Sequence, residues 1–356
     1  MERALSESFL SELRTVAPGT LIREGLENIL RAKTGSLLVI GDSPEVRAIV
    51  EGGFEVNVPL TATRIYELAK MDGAIILDDK AENIWKANAQ LVPQGNISSD
   101  ETGIRHRTAE RVARQTGAMV IAISQRRSLI TIFKGTMKFV LPDISLILTK
   151  ANQAIQTLEK YRSVLEKALL NLSVLEFENV VTVMDVSKVV QRIEMVKWIV
   201  NEIDLYLAQL GTEGRLVSMQ LEELVSNVYK KGHLVLLDYI YDEEKGLEIF
   251  QKSLKGLSTE DLLELTNISK ILGYGNNLSS LDTGVSPRGY RILNEIPRLP
   301  FPVIENLVKH FRTLHNVLDA SIEELDQVEG IGEVRARAIK NGLTKLRQQI
   351  LMDWHF

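Results

Sequence analysis

The 356-residue sequence contains no cysteine, which excludes disulfides, thiolate metal sites and cysteine nucleophiles. It also lacks a dominant charge. Against 42 Lys and Arg stand 47 Asp and Glu, a net of −5, so no global basic field draws the chain onto nucleic acid or membrane. Any DNA contact must be local. Long apolar runs are missing too: stretches such as Leu234–Leu237 fall far short of a bilayer span. The first residues, Met1-Glu2-Arg3-Ala4-Leu5-Ser6-Glu7, have neither the basic nor the apolar region of a signal peptide. A G-x-x-x-x-G-K-[ST] phosphate loop is absent, which removes a P-loop ATPase from consideration. These absences point to a cytoplasmic protein without a membrane segment. Hydrophobic content of 45% and charged content of 25% are ordinary for a globular chain, and the length allows two or three domains.

The first 145 residues alternate helical and strand patterns. Residues 1–33 read as helical, broken at Pro18-Gly19, with Leu10, Leu13 and Val16, then Leu21, Leu26, Ile29 and Leu30 on apolar faces. Gly35-Ser36-Leu37-Leu38-Val39-Ile40-Gly41 reads as a buried strand, as does Ala74-Ile75-Ile76-Leu77, with a third over Ile84 to Leu91. Thr61 to Lys70 and 107–116 read as helices. Gly117 then stands where a helix C-terminus often ends. Ala118 to Ser124 is a further strand, and 128–133 with 137–141 form a hairpin about Lys134-Gly135. Interleaved strands and helices predict an α/β domain with a mixed sheet flanked by helices.

After Pro142 the texture becomes helical. Leu148, Ala151, Ile155, Leu158, Leu165, Leu169 and Leu172 keep a three-four spacing, the stripe of one long helix. That stripe suits either an oligomer contact or packing inside its own domain. Residues 185–285 continue mostly helical, with Gly211, Gly214, Gly232 and the loop 273–277 as punctuation, and carry no residue that calls for catalysis. Beyond Pro297, Pro300 and Pro302, Val303 to Phe311 is a helix, and Ser321 with Glu324 forms a capping box ahead of a short one. Three domains are expected: an α/β domain over 1–145, an all-α spacer over 146–288 and an all-α domain over 289–356.

Two stretches carry chemistry. In Gly103-Ile104-Arg105-His106-Arg107-Thr108, two arginines stand at a helix N-terminus, where N–H groups and the dipole already favour an anion. Guanidinium forks match phosphate oxygens and stay charged. Alone, such a pair is more readily a surface cluster against Asp100 and Glu101. Some thirty residues upstream lies Met71-Asp72-Gly73-Ala74. The Asp-Gly-Ala element and the Arg-His-Arg together resemble the diadenylate cyclase domain. At the other end, Val328-Glu329-Gly330-Ile331-Gly332-Glu333-Val334-Arg335 resembles a helix-hairpin-helix DNA-binding motif. Its glycines permit close backbone approach, and its second helix directs N–H groups toward a phosphate. The three features together resemble the DNA integrity scanning diadenylate cyclase family over nearly the whole chain.

The resemblance implies condensation of two ATP into cyclic di-AMP and two pyrophosphates, with Mg²⁺ or Mn²⁺. Asp72 would ligate the metal and activate the 3′-hydroxyl. Arg105 and Arg107 would hold the triphosphate, assisted by His106. The family pattern adds Gly73, Leu91 as an adenine surface, Thr108, Ser124 and Arg127 as ATP contacts. It also implies a homo-oligomer, an octamer with DNA-binding ends outside, because two nucleotides must face one another. In the hairpin, Gly330, Ile331, Gly332, Arg335, Arg337 and Lys340 would meet DNA phosphates, and branched DNA such as a Holliday junction would lower activity near the nucleoid. One departure stands out: Gln125 follows Ser124, where many members carry Glu. A second reading is a DNA-binding scaffold whose α/β domain senses ATP without turnover. Loss of turnover in Asp72→Asn separates the two.

Overall fold

The computed structural model describes residues 7–241 and 247–354, so the readings that touch 1–6 and 242–246 lie outside the described residues. Two compact units divide the chain. One runs to Gln153 and takes in Asp204–Ser218; the other comprises Ala154–Ile203 and the chain from Met219 onward.

The first unit is a three-layer α/β domain. Its strands are β1 (Ser36–Ile40), β2 (Val50–Glu51), β3 (Phe54–Pro59), β4 (Ala74–Leu77), β5 (Asn83–Leu91), β6 (Met119–Ser124), β7 (Leu129–Lys134) and β8 (Met137–Val140). They run in the order β2-β5-β4-β1-β6-β7-β8, with β3 also paired to β5. Among these strands β1 and β4 are parallel and the other pairs antiparallel, a mixed sheet as expected. The helices of this domain are α1 (Glu7–Thr15), α2 (Leu21–Arg31), α3 (Pro44–Arg47), α4 (Ala62–Leu68) and α5 (Ile104–Thr116). Central strands bury both faces, which explains their unbroken apolar runs. Leu38, Ile75 and Ile121 pack in one core layer with Leu13, Leu26 and Ile65 of α1, α2 and α4. Their neighbours Leu37, Ile76 and Val120 point into the opposite layer, with Val46 of α3 and Val112 of α5.

Three elements here were not anticipated: α3, β2 and β3. Their sequence signal is weak because β2 and β3 lie at the sheet edge and are largely exposed, so no apolar run marks them. The cue for α3 was Ser43-Pro44, where the Ser43 hydroxyl caps the Val46 N–H and proline occupies the first turn. Helix α5 also begins earlier than the expected 107–116. Gly103 is its N-cap, and the Gly103 carbonyl accepts the Arg107 N–H at 2.8 Å. That first turn carries an outward-facing Ile104 among two arginines and a half-buried histidine, so no inward apolar residue marks it.

The long helix is present as α6 (Ile144–Glu178), and Ala151, Ile155, Leu158, Leu165, Leu169 and Leu172 are all buried. It is followed by α7 (Val183–Leu210), a 3-10 turn over Gly211–Gly214, α8 (Arg215–Val225), α9 (Val228–Tyr239), α10 (Leu247–Lys255), α11 (Thr259–Leu263), α12 (Leu265–Leu272) and α13 (Leu278–Leu281). Gly232, expected as punctuation, lies inside α9. A Cβ there would come within 2.9 Å of the Ile193 side chain, so close helix packing rather than a break accounts for it. The chain ends in α14 (Tyr290–Asn294), α15 (Phe301–Phe311), α16 (Leu314–Asp319), α17 (Ile322–Asp326) and α18 (Glu333–Trp354). Their core includes Leu307, Leu314, Leu325 and Ile339, and Phe177 of α6 joins it. Among the described residues no helix is long and apolar enough to cross a membrane.

A buried polar cluster ties α6, α9 and α14 together. Asp238 accepts the N–H groups of Gly289, Tyr290 and Arg291 at 2.7, 2.7 and 3.0 Å, capping α14. The Arg291 guanidinium pairs with Glu176 and donates to Ser173 Oγ at 3.0 Å, while the Tyr239 hydroxyl donates to Glu176 at 2.7 Å. Burial first, then the Glu176 charge, pushes the Asp238 carboxyl up to about 7, against the N–H of Arg291 and its guanidinium. A folded-state value above the ordinary 3.8 means that folding takes up a proton between the two. The stability contributed is therefore largest in acid and is lost as pH rises from 3.8 through about 7. Asp238→Asn is expected to flatten that pH dependence in urea unfolding. Arg291→Met strands a buried carboxylate, and the same measurement should lose about 3–5 kcal/mol.

Candidate functional sites

The strand register assembles the first site. In the parallel pair, Leu37 lies beside Ala74, so the starts of β1 and β4 are level. In the antiparallel pair, Ser36 lies beside Ile123, so the end of β6 reaches the same level. Helix α5 leads through Gly117 directly into β6 and packs back along it, which returns the α5 N-terminus to that edge. Gly35, Asp72-Gly73, Ser124 and Gly103-Ile104-Arg105-His106 thus converge although they are distant in sequence.

All of these but Gly35, which lies against Arg105, border an open cavity of about 760 Å³, lined by Asp72, Gly73, Gly103, Ile104, Arg105, His106, Ile123, Ser124, Gln125 and Arg126. Gly73 adopts φ +93°, and a Cβ there would sit 2.8 Å from the Asn88 carbonyl carbon, so the turn requires glycine. That turn presents Asp72, whose side chain is 99% exposed and whose carboxylate lies 3.3 Å from the Arg105 guanidinium. Gly35 leaves room for the same guanidinium: a Cβ would come within 2.8 Å of Arg105 Nη1. Gly103 offers no capping side chain and the first turn of α5 holds no acid, so the helix terminus keeps its preference for an anion. Ser124 Oγ accepts the Arg127 N–H at 3.2 Å in the turn to β7.

His106 is half-buried, with its ring edge-on to Phe133 at 6.2 Å. Burial lowers its pKa, Glu101 opposes this, and the charges of Lys138, Arg127 and Arg105 lower it further, so at neutral pH the imidazole is uncharged. Asp72 is the one carboxylate among the lining residues, and the described residues contain no cluster of three or more His, Asp or Glu suited to a metal. One exposed carboxylate beside an open cavity of this size fits a Mg²⁺-like ion that keeps its waters and takes further ligands from a bound anion.

Asp72, Gly73, Arg105, His106 and Ser124 are therefore brought together at the cavity, and four other sequence candidates are not among its lining residues. Leu91, at the end of β5, is half-buried against the α5-side core. Arg107 is exposed and donates to the Glu101 carbonyl at 3.2 Å. Thr108 lies a turn into α5, and Arg127 stands exposed in the β6–β7 turn. Gly35, Ile104 and Arg126 were not foreseen. Gly35 reads equally well as a strand boundary, and an isolated Ile or a second Arg carries no signal of its own.

In the second unit α17 and α18 are joined through Gly330, at φ +83°, and Gly332. The capping box is formed in both directions by Ser321 and Glu324. Ile331 is buried in the helical core and anchors the hairpin from within. Arg335 folds back to donate to the Gly330 carbonyl, Arg337 pairs with Glu333 at 2.5 Å, and Lys340 donates to the Leu318 carbonyl at 2.6 Å.

An arginine-lined cavity at the strand ends of an α/β domain, joined through long helices to a helix-hairpin-helix, defines a modular nucleotide-binding protein. Residues 23–137 match the family described as DisA bacterial checkpoint controller nucleotide-binding, 141–281 its linker region, and 313–341 the helix-hairpin-helix motif. The chain is 58% identical over 344 residues to the DNA integrity scanning protein DisA of Carboxydothermus hydrogenoformans, covering 96% of this chain and 98% of that protein. It is 55% identical to the Clostridium acetobutylicum protein of the same name, over 96% of both, and 54% identical to that of Clostridium botulinum strain Kyoto, over 98% of both. The chain belongs to the DisA family, the nucleotidyltransferases of diadenylate cyclase type whose two motifs its sequence carries.

The Gly35 contact is a direct test of the cavity. A Cβ at Gly35 would meet the flexible Arg105 tip at 2.8 Å and the Ile123 carbonyl oxygen at 3.2 Å, so Gly35→Ala should displace Arg105 from Asp72 and lower the melting temperature only modestly. Turnover at saturating ATP is expected to fall at least tenfold, since positioning errors of about 1 Å cost on the order of a hundredfold.

Proposed function

We infer that this chain condenses two ATP into cyclic di-AMP through the Asp72–Arg105 cavity, and that its helix-hairpin-helix binds DNA and adjusts that activity. The observation that carries the first part is the convergence of Asp72-Gly73 with the α5 N-terminus and Ser124 around one cavity. Each 3′-oxygen attacks the α-phosphorus of the other nucleotide, the bond from that phosphorus to the bridging oxygen breaks, and pyrophosphate leaves with its electron pair. The hydroxyl proton must be taken up as the new bond forms. Asp72, exposed and the one carboxylate lining the cavity, is the base within reach, and its pairing with Arg105 orients it. Arg105, the α5 terminus and Ser124 offer donors to phosphate oxygens, with Arg107, Thr108 and Arg127 nearby for the outer phosphates. Uncharged His106 can donate one hydrogen bond without adding charge. Leu91 would serve adenine only from the β5 side of the site.

Asp72 would hold Mg²⁺ or Mn²⁺, which supplies charge neutralisation on the phosphates when bound. Gln125 leaves Asp72 as the cavity's one carboxylate ligand, so most of the ion's remaining ligands would be water and phosphate. The cavity holds a single nucleotide's phosphates on an open face, so catalysis needs two copies facing one another; the family pattern extends this to an octamer. The proposed working divisions are 1–145 for chemistry, 146–288 for spacing and 289–356 for DNA. Gly330, Gly332 and the α18 terminus favour phosphate contact, Arg335, Arg337 and Lys340 stand close by, and branched DNA is the proposed inhibitor. A cytoplasmic, nucleoid-associated location follows from that partner.

Incubation of the protein with ATP and Mg²⁺ or Mn²⁺, with products resolved by mass, is expected to yield cyclic di-AMP. Asp72→Asn should abolish the product while retaining ATP binding, and a four-way DNA junction should lower it in the wild type. ATP bound but unchanged under both metals would instead favour the scaffold reading.

A further inference from the structure

The hairpin's cations already have partners, and one of those partners is an anion. Arg335 and Lys340 donate to backbone carbonyls, those of Gly330 and Leu318, and neither is paired directly with a carboxylate, although Glu324 lies within electrostatic reach of Lys340. Arg337 is different: its guanidinium is held by the Glu333 carboxylate at 2.5 Å, one turn back on α18, with both side chains about two-thirds exposed. Glu333 is also the acidic residue of the first turn of α18, the position a helix dipole favours for a negative charge. It therefore occupies both features that a DNA phosphate would seek at this end of the hairpin: the positive helix terminus and a guanidinium fork.

We propose that Glu333 is an internal stand-in for a DNA phosphate, holding Arg337 until a backbone phosphate displaces it, and so sets a deliberately low affinity for any single hairpin contact. The proposal rests on the DNA-binding reading of the hairpin. Exposed ion pairs of this kind are weak, so the Glu333 carboxylate lowers affinity without preventing binding. Its effect multiplies when several hairpins engage one DNA molecule, because each contact must displace its own carboxylate. Occupancy therefore depends on several hairpins engaging one DNA molecule together, because a single contact alone is weak.

The test uses the full-length protein with a labelled duplex and a labelled four-way junction, titrated at low and at physiological salt. Glu333→Gln should tighten duplex binding by roughly threefold, with the gain shrinking as salt screens the ion pair. Glu333→Gln combined with Arg337→Ala should lose that gain, and Glu329→Gln, which removes an equal charge next to the hairpin but frees no arginine, should change affinity less. Equal gains from Glu329→Gln and Glu333→Gln, or none from Glu333→Gln while the wild type binds, would overturn the proposal and leave the DNA-binding reading intact. Absence of binding in every variant and in the wild type would overturn both.

Discussion

Everything at the nucleotide site depends on how β1 pairs with its two neighbours. A parallel partner on one side and an antiparallel partner on the other bring the start of β4 and the end of β6 to the start of β1. A slip of one residue in either pairing would send Leu38 or Ile121 to the wrong core layer. The burial of both sheet faces therefore fixes the register, and the register fixes the separation between Asp72, Ser124 and Arg105. The geometry of the cavity is a consequence of core packing, with two glycines removing the obstacles: Gly73 shapes the turn, and Gly35 clears the guanidinium.

The buried cluster in the second unit follows a different logic. Three helices meet around Glu176, Asp238 and Arg291, where apolar side chains of the same volume would pack without a desolvation penalty. The polar solution is directional: Asp238 recognises the three N–H groups that open α14, and that helix begins the module carrying the hairpin. An apolar joint would fix distance; this one also fixes the orientation of a five-residue helix too short to hold itself.

Much of the architecture was legible because central strands buried on both faces leave continuous apolar runs, and because Gly117, Ser321 and Pro18-Gly19 punctuate helices by recognised chemistry. Asp72 and Arg105 were legible only as a pair, through the family pattern; an Asp-Gly alone reads as a turn. What escaped was whatever lay at an edge or worked by absence. β2 and β3 bury too little to mark themselves, the first turn of α5 has no inward apolar residue, and Gly35 matters for a side chain it lacks. Partnering was hidden in part: the four-residue spacing of Glu333 and Arg337 on one helix does announce a pair, whereas nothing in the order of residues indicates that Lys340 serves the Leu318 carbonyl.

The most direct test of the site is a structure of the protein with 3′-deoxy-ATP and Mg²⁺, an analogue that lacks the attacking hydroxyl. The account predicts the triphosphate between the α5 terminus and Ser124, the metal on Asp72, and two copies facing one another with their α-phosphates opposed. A nucleotide bound away from Asp72 and Arg105, or held in a cavity that faces no second copy, would contradict it.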